Sequence, residues 1–186
     1  MYEVFSVRQI RDAEEATGDL LASGALMQRA ASGLASRLVR DLRGQTGPGR
    51  RRLRGRRVLL AVGSGNNGGD ALWAAVRLLR GGVRVDAWRT SDAAHGEGWA
   101  AFRRAGGREV DAVGAIGLLP DADLVVDGVL GIGGRGGLRP HVATFADACR
   151  DAGVRVVAVD LPSGLQADAC GAGNSFTADV TVTFER

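Results

Sequence analysis

Three short segments of this 186-residue chain could do chemistry, and each directly follows an apolar run. The first is Gly63-Ser64-Gly65-Asn66-Asn67-Gly68-Gly69-Asp70. It satisfies G-x-G-x-x-G ahead of a helical pattern, and Asp86 lies about 20 residues on, near the end of the next apolar run. Together these form the fingerprint of a dinucleotide-binding turn. Glycines there let backbone N–H groups approach a phosphate at a helix N-terminus. Asp70 is placed at the helix start, as a cap or a ligand-positioning group. The second segment runs from Asp127 to Gly137 (DGVLGIGGRGG), and the five glycines in its last seven residues make a loop able to wrap a ligand. The third is Asp160-Leu161-Pro162-Ser163-Gly164. One aspartate at such a place caps a turn or helix as readily as it serves chemistry. Three of them at the carboxyl ends of parallel strands line a single edge, which is where ligands bind in open sheets.

The rest of the sequence must place those ends side by side. Ser6-x-x-Gln9 has the form of a capping box and predicts a helix through about Leu21. A second helix is predicted from Ala25 to Leu42, with Leu26, Ala30, Leu34, Leu38 and Leu42 on one face. Residues 44–56 read as an exposed loop rich in glycine and arginine. Strands are predicted over Val58–Val62, Val83–Trp88, Leu124–Val126, Val154–Val159 and Val180–Phe184. Between them lie helices over Ala71–Arg80, Gly98–Ala105 and His141–Ala152. Alternation of near-continuous apolar strands with helices specifies a single α/β domain whose parallel sheet is covered on both faces.

Composition removes several chemistries. All 24 basic residues are arginine, which excludes a Schiff-base lysine, a phosphate-loop lysine and a Tyr–Lys pair. Two histidines and two cysteines, far apart, cannot build a zinc site or a disulfide framework. The longest uncharged run is the twelve residues Val58–Gly69, rich in Gly, Ser and Asn, whereas a membrane helix needs about 18–20 apolar residues. The N-terminal residues lack the apolar core of a signal peptide, so a cytoplasmic, reduced protein is expected. The net charge of +3 comes from six arginines within Arg50–Arg57; without them the chain would be net acidic. That segment reads as a solvated linker. It has no interleaved aromatics for base stacking, so nucleic acid is not an expected partner.

GSGNNGGDA, VVDGVLGIGGRG and VAVDLPSGLQAD, in this order and spacing, resemble the NAD(P)H-hydrate epimerases, the YjeF N-terminal domain family. LMQRAA upstream and TVTF at the end extend the resemblance over nearly the whole chain. It implies a Rossmann-like three-layer sandwich with a mostly parallel sheet, two N-terminal helices and a homodimer. The implied activity interconverts the R and S forms of hydrated NADH and NADPH, damaged cofactors with a hydroxyl at C6 of the reduced nicotinamide ring. Residue by residue, Asn66, Asn67, Gly68, Gly69 and Asp70 would hold the substrate. Gly131, Ile132, Gly133, Gly134, Arg135, Gly136 and Gly137 would wrap its phosphates, and Asp160 would contact the hydrated ring. Asn67, Asp127 and Ser163 would coordinate a potassium ion; amide, carboxylate and hydroxyl oxygens suit a hard monovalent cation. Epimerisation needs the hydroxyl to leave, or the ring to open, and then re-closure on the other face. A carboxyl group that gives and takes a proton suffices, which makes Asp160 the general acid/base candidate.

The chain departs from the family pattern at Ala71, where GGDG is usual, and at Gln28 and Arg29, which bear on the dimer contact rather than the pocket. It ends at Phe184-Glu185-Arg186, short of where family domains usually stop. Some members continue into an ATP- or ADP-dependent dehydratase, so a fused or separate dehydratase is an expected partner. Two other readings are carried. An NAD-dependent dehydrogenase would use the fingerprint and Asp86, although Tyr2 is the only tyrosine. A non-catalytic scaffold of RNA metabolism would use the arginine segment.

Overall fold

Strands that are apolar on both faces can only be stable between two helical layers, and the chain builds that arrangement. The computed structural model describes residues 24–44, 52–132, 134, 137–166 and 174–184, together with Arg8, Gln9 and Asp12. Six strands, β1 (Arg57–Val62), β2 (Arg84–Arg89), β3 (Arg108–Val110), β4 (Leu124–Gly128), β5 (Val156–Val159) and β6 (Val180–Val182), form one sheet in the order β3-β2-β1-β4-β5-β6. Every neighbouring pair is parallel. The chain winds outward from β1 to β3, then crosses to β4 and winds the other way. Between β1 and β4 the order reverses, and a crevice opens at their carboxyl ends.

Among the described residues, five helices cover the sheet: α1 (Ala25–Gly44), α2 (Asn66–Arg80), α3 (Gly96–Arg104), α4 (Ala112–Leu118) and α5 (Pro140–Asp151). Alternate side chains of β1 point to opposite layers, as a period of two requires. Val58, Leu60 and Val62 join Leu34, Leu38, Leu72 and Phe102 beneath α1, α2 and α3. Leu59 and Ala61 join Trp88, Phe145 and Leu119 on the α4 and α5 side. The stripe expected on α1 is the buried one, widened by Ala31 and Ala35. Each fully buried Leu or Phe contributes about 1.5–3 kcal/mol relative to exposure. Among the described residues no helix is long and apolar enough to cross a membrane.

The structure departs from the predicted elements in ways that have local causes. β3 and α4 carry little sequence signal. Arg108–Val110 has one apolar residue and sits at the sheet edge. Ala112–Leu118 contains two glycines, and its first turn is held by Asp111, whose carboxylate accepts from Gly114 N at 2.7 Å. α2 starts at Asn66, five residues before the predicted Ala71, because the glycines that are poor helix formers lie inside its first turn. β5 starts at Val156 and β6 ends at Val182. Of the helix predicted over residues 6–21, Arg8, Gln9 and Asp12 are helical and the remainder lies outside the described residues. Residues 45–51 of the 44–56 loop also lie outside them, Gly44 closes α1, and Leu53 packs against the core.

Adjacent strand ends at the crevice leave almost no room. Val62 pairs with Gly128, so the segments that follow run in contact, and Gly63 N donates to Gly128 O at 3.0 Å. A Cβ on Gly63 would lie 1.9 Å from the Val129 carbonyl oxygen, and one on Gly68 would lie 2.1 Å from Gly63 O. Gly65, by contrast, has open space where a Cβ would stand, with nothing within 4 Å. Gly63→Ala is therefore expected to cost about 3 kcal/mol or more and to lower Tm by roughly 10 °C, while Gly65→Ala stays within about 2 °C of wild type. Thermal melts of the two variants decide this; equal effects would mean that the two segments can part.

Candidate functional site

Asp127 occupies the fourth position of β4, and its side chain is fully buried. Three donors meet its carboxylate. Ser163 N donates to Oδ2 at 2.7 Å, Ser163 Oγ donates to Oδ1 at 2.6 Å, and Val129 N reaches Oδ1 at 3.3 Å. Ser163 Oγ in turn accepts from Leu130 N at 2.8 Å. One aspartate and one serine thus join β4, the loop after it and the loop after β5. The two residues are 36 apart in sequence but belong to neighbouring strands, because Asp127 pairs with Ala158.

Asn67, in the first turn of α2, donates its amide to Val159 O at 2.7 Å. Its amide oxygen faces Gly131, where a Cβ would lie 2.6 Å from it. Asp160 follows Val159 with φ at +69°, the one non-glycine residue with positive φ among the described residues. Aspartate tolerates this left-handed region better than most side chains. Its backbone N donates to Val182 O at 2.7 Å, and its Oδ2 accepts from Ile132 N at 3.2 Å. The three segments singled out from sequence therefore meet, joined to one another by side-chain hydrogen bonds.

The electrostatics centre on Asp127. Burial pushes its carboxyl up to about 6, against the hydrogen bonds from Ser163 and Val129, which lower it. No arginine forms an ion pair with it among the described residues. The Cys149 thiol is pushed up to about 12, first by burial and second by the charge of Asp127. Asp127 was expected at a strand end, and it is there, with its side chain in the interior.

Other expected residues fall differently. Asp86 is not at the crevice. It is the third residue of β2, pairs in register with Arg108, and its carboxylate lies 2.5 Å from Arg108 Nε. Asp70 does not cap α2, because the helix begins four residues earlier and Asp70 is buried one turn inside it; Gly65 is the N-cap, with no side-chain bond. Asn66 is exposed at the first position of α2, and Gly69 lies against Met27 and His95. Gly131, Ile132, Gly134 and Gly137 border the crevice, with Gly134 N bonded to Gly131 O at 2.8 Å. Gly133, Arg135 and Gly136 lie outside the described residues. Sequence reasoning missed Thr90, Ser91 and Arg139. They line a cleft of about 190 Å³ together with Ser64 and Leu130. The Arg139-Pro140 pair, a helix start with proline at the first position, was the available signal.

The sequence profile described as YjeF-related protein N-terminus matches residues 23–186. The chain belongs to this family. The YjeF-related domain is 48% identical over 187 residues to the "Bifunctional NAD(P)H-hydrate repair enzyme Nnr" of Mycobacterium leprae (strain TN), covering 99% of this chain and 37% of that protein. It therefore spans little more than a third of that bifunctional relative. It is 40% identical over 188 residues to the "NAD(P)H-hydrate epimerase" of Clavibacter michiganensis subsp. michiganensis, covering 93% of this chain and 77% of that protein. Its fold is that of the yeast protein ynu0 (YNL200c) in a crystal structure, with a TM-score of 0.78 and 19% identity over 98% of this chain and 80% of that one. Of the departures from the family pattern, Ala71 is packed in the core, Gln28 is half-buried and Arg29 is exposed. The Ala71 Cβ lies 2.8 Å from where a Cβ on Gly128 would sit, and Gln28 is bonded by Arg77.

A carboxyl raised by burial has a definite consequence for the YjeF-related domain. The protonated form is favoured in the folded state, so stability is greatest below about pH 4 on this account and is lost as pH rises through about 6. Asp127→Asn keeps the shape and removes the charge. In buffer free of alkali metal ions, the variant should gain on wild type by about 3 kcal/mol between pH 4 and pH 7. Urea unfolding of both proteins across that range measures the difference; a flat difference would mean an ordinary carboxylate.

Proposed function

We propose that this chain interconverts the R and S epimers of hydrated NADH and NADPH, in repair of the nicotinamide cofactors. The observation that carries the reading is the meeting of Asn67, Asp127, Asp160 and Ser163 at one sheet edge, each held by a hydrogen bond to a neighbouring segment. The 40% identity to a protein named NAD(P)H-hydrate epimerase, across most of both chains, supports the same activity.

Asp160 acts as the proton carrier. The C6 hydroxyl leaves as water once protonated, water adds to the other face of the ring, and the carboxylate recovers the proton, so the reaction needs no redox partner. Ile132 N–H holds one carboxylate oxygen and fixes the group's direction. Asn66, Asn67, Gly68, Gly69 and Asp70 bind the substrate, and the loop from Gly131 to Gly137 takes its phosphates through backbone N–H groups. Asn67, Asp127 and Ser163 fit a potassium ion: they bring an amide oxygen, a hydroxyl and a buried carboxylate that has no cationic partner among the described residues. The bound ion supplies the positive charge that such a carboxylate otherwise lacks. In this reading the protein works in the cytoplasm as a homodimer. An ATP- or ADP-dependent dehydratase, fused or separate, consumes one epimer.

The decisive experiment is an epimerisation assay on separated R and S hydrates. Conversion in both directions is expected; oxidation of an alcohol with absorbance change instead would point to a dehydrogenase, and inertness to a scaffold. Asp160→Asn should retain binding and lose about 10²–10⁴-fold in single-turnover interconversion. Near-normal turnover would leave Asp160 a positioning group. For the ion, potassium chloride in place of choline chloride at pH 8 should raise the Tm of wild type but not of Asp127→Asn. Identical melting of wild type in the two salts would remove the potassium assignment.

A further inference from the structure

The cleft beside the clustered aspartates has no part in the proton chemistry above. It is walled by Ser64 after β1, by Thr90 and Ser91 after β2, and by Leu138, Arg139 and Val142 at the start of α5. Its volume of about 190 Å³ is below the roughly 300–1,000 Å³ of a drug-sized ligand site. It suits one part of a dinucleotide. Position says which part. In the sheet order β2-β1-β4-β5, Asp160 stands after β5, and the cleft spans the ends of β4, β1 and β2, with Thr90 and Ser91 at its end farthest along the sheet from Asp160. A dinucleotide laid across such an edge has its pyrophosphate near the turn after β1 and its adenosine ribose at the end of β2.

Charge then distinguishes two kinds of ribose. An acid at the end of β2 bonds a free 2′-hydroxyl and repels a 2′-phosphate, whereas an arginine there accommodates the phosphate. The cleft lining contains no carboxylate among the described residues, and Asp86, which spacing put forward for that task, is buried and committed to Arg108. Arg89, the last residue of β2, is held by Glu109 at 2.7 Å and stacks on Trp99 with 5.1 Å to the ring centroid. Arg139 is exposed, makes no side-chain cap for α5 and forms no ion pair among the described residues. Its wall is fixed to β2, because the His141 ring Nε2 lies 2.9 Å from Thr90 O and the ring stands edge-on to Trp88.

We propose that this cleft takes the adenosine 2′-phosphate end of the dinucleotide and that Arg139 is the residue that favours hydrated NADPH over hydrated NADH. The identity of the whole substrate rests on the epimerase reading; the 2′-phosphate site does not. Two measurements on the full chain separate them. In calorimetric titration, adenosine 2′,5′-bisphosphate should bind about tenfold more tightly than adenosine 5′-phosphate, and Arg139→Gln should bring that ratio near one, as expected for loss of a charge-assisted bond. In the epimerisation assay, Arg139→Gln should reduce kcat/KM for hydrated NADPH about tenfold more than for hydrated NADH, through KM. A binding ratio unaltered by the substitution overturns the proposal, as does an equal loss for both hydrates. A protein that turns over neither hydrate but shows the Arg139-dependent ratio removes the epimerase reading and upholds the 2′-phosphate site.

Discussion

The pair of hydrogen bonds from Ser163 to the buried Asp127 carboxylate is the contact on which the rest of the site depends. A carboxylate taken out of water without compensation costs several kcal/mol or protonates. Here the compensation is built from a hydroxyl and two backbone N–H groups, all contributed by the loops that the aspartate must hold. Desolvation still prevails, which is why the carboxyl sits near 6 and not at its ordinary value. The interaction is thus worth little as net stabilisation and much as a positional constraint. It sets the loop after β5 against the loop after β4, and Asp160 at the head of the first reaches Ile132 in the second.

That arrangement requires the backbones to come unusually close, and glycine makes the approach. Gly63 and Gly68 admit the β1–α2 turn beneath the β4 loop, where any side chain would meet main-chain atoms. The fingerprint glycines therefore have a folding reason that stands without any ligand. The same compression presents the first turn of α2 to the crevice and lets Asn67 reach Val159 on the far side of β4. Fold stability and site geometry here share the same few residues, so changes that relax one displace the other.

The parts legible from sequence were those in which a strong local signal coincided with a topological rule. Apolar runs ending in Gly63, Asp127 and Asp160 marked three strand ends, and parallel strands bring their ends to one edge, so Asn67, Asp127, Asp160 and Ser163 converged as expected. Asp86 misled because spacing along the chain does not reveal which way a strand residue faces; Arg108, on a three-residue edge strand without apolar signal, claims it. The start of α2 was obscured by Gly68 and Gly69, whose low helix propensity is outweighed by close packing. The burial of Asp127 was invisible for a related reason. A strand-end aspartate reads as solvent-facing, and only the tertiary placement of Ser163 makes its interior position tolerable.

Charge is divided between the two edges of the sheet, and the division explains how so arginine-rich a segment can sit beside an acidic site. Arg56 and Arg57 enter β1 at its amino end and are met there by Asp123 and Asp121. Asp127 pairs with Ala61, four residues along β1 from Arg57 and so about 13 Å at the rise of a strand, which is more than one Debye length (about 8 Å) at physiological salt. Across the solvent this cationic edge contributes little to the field at the crevice. Positive charge at the carboxyl edge must come from local sources: the N–H groups of α2 and the glycine loop, Arg139 at the start of α5, and the potassium ion proposed at Asp127. Neither Asp127 nor Asp160 is paired with an arginine among the described residues. A guanidinium against a carboxyl group favours its charged form, which would oppose the proton transfer proposed for Asp160. In a chain with 24 arginines and no lysine, an aspartate proposed to carry protons is best held by a neutral donor, and the Ile132 N–H is such a donor.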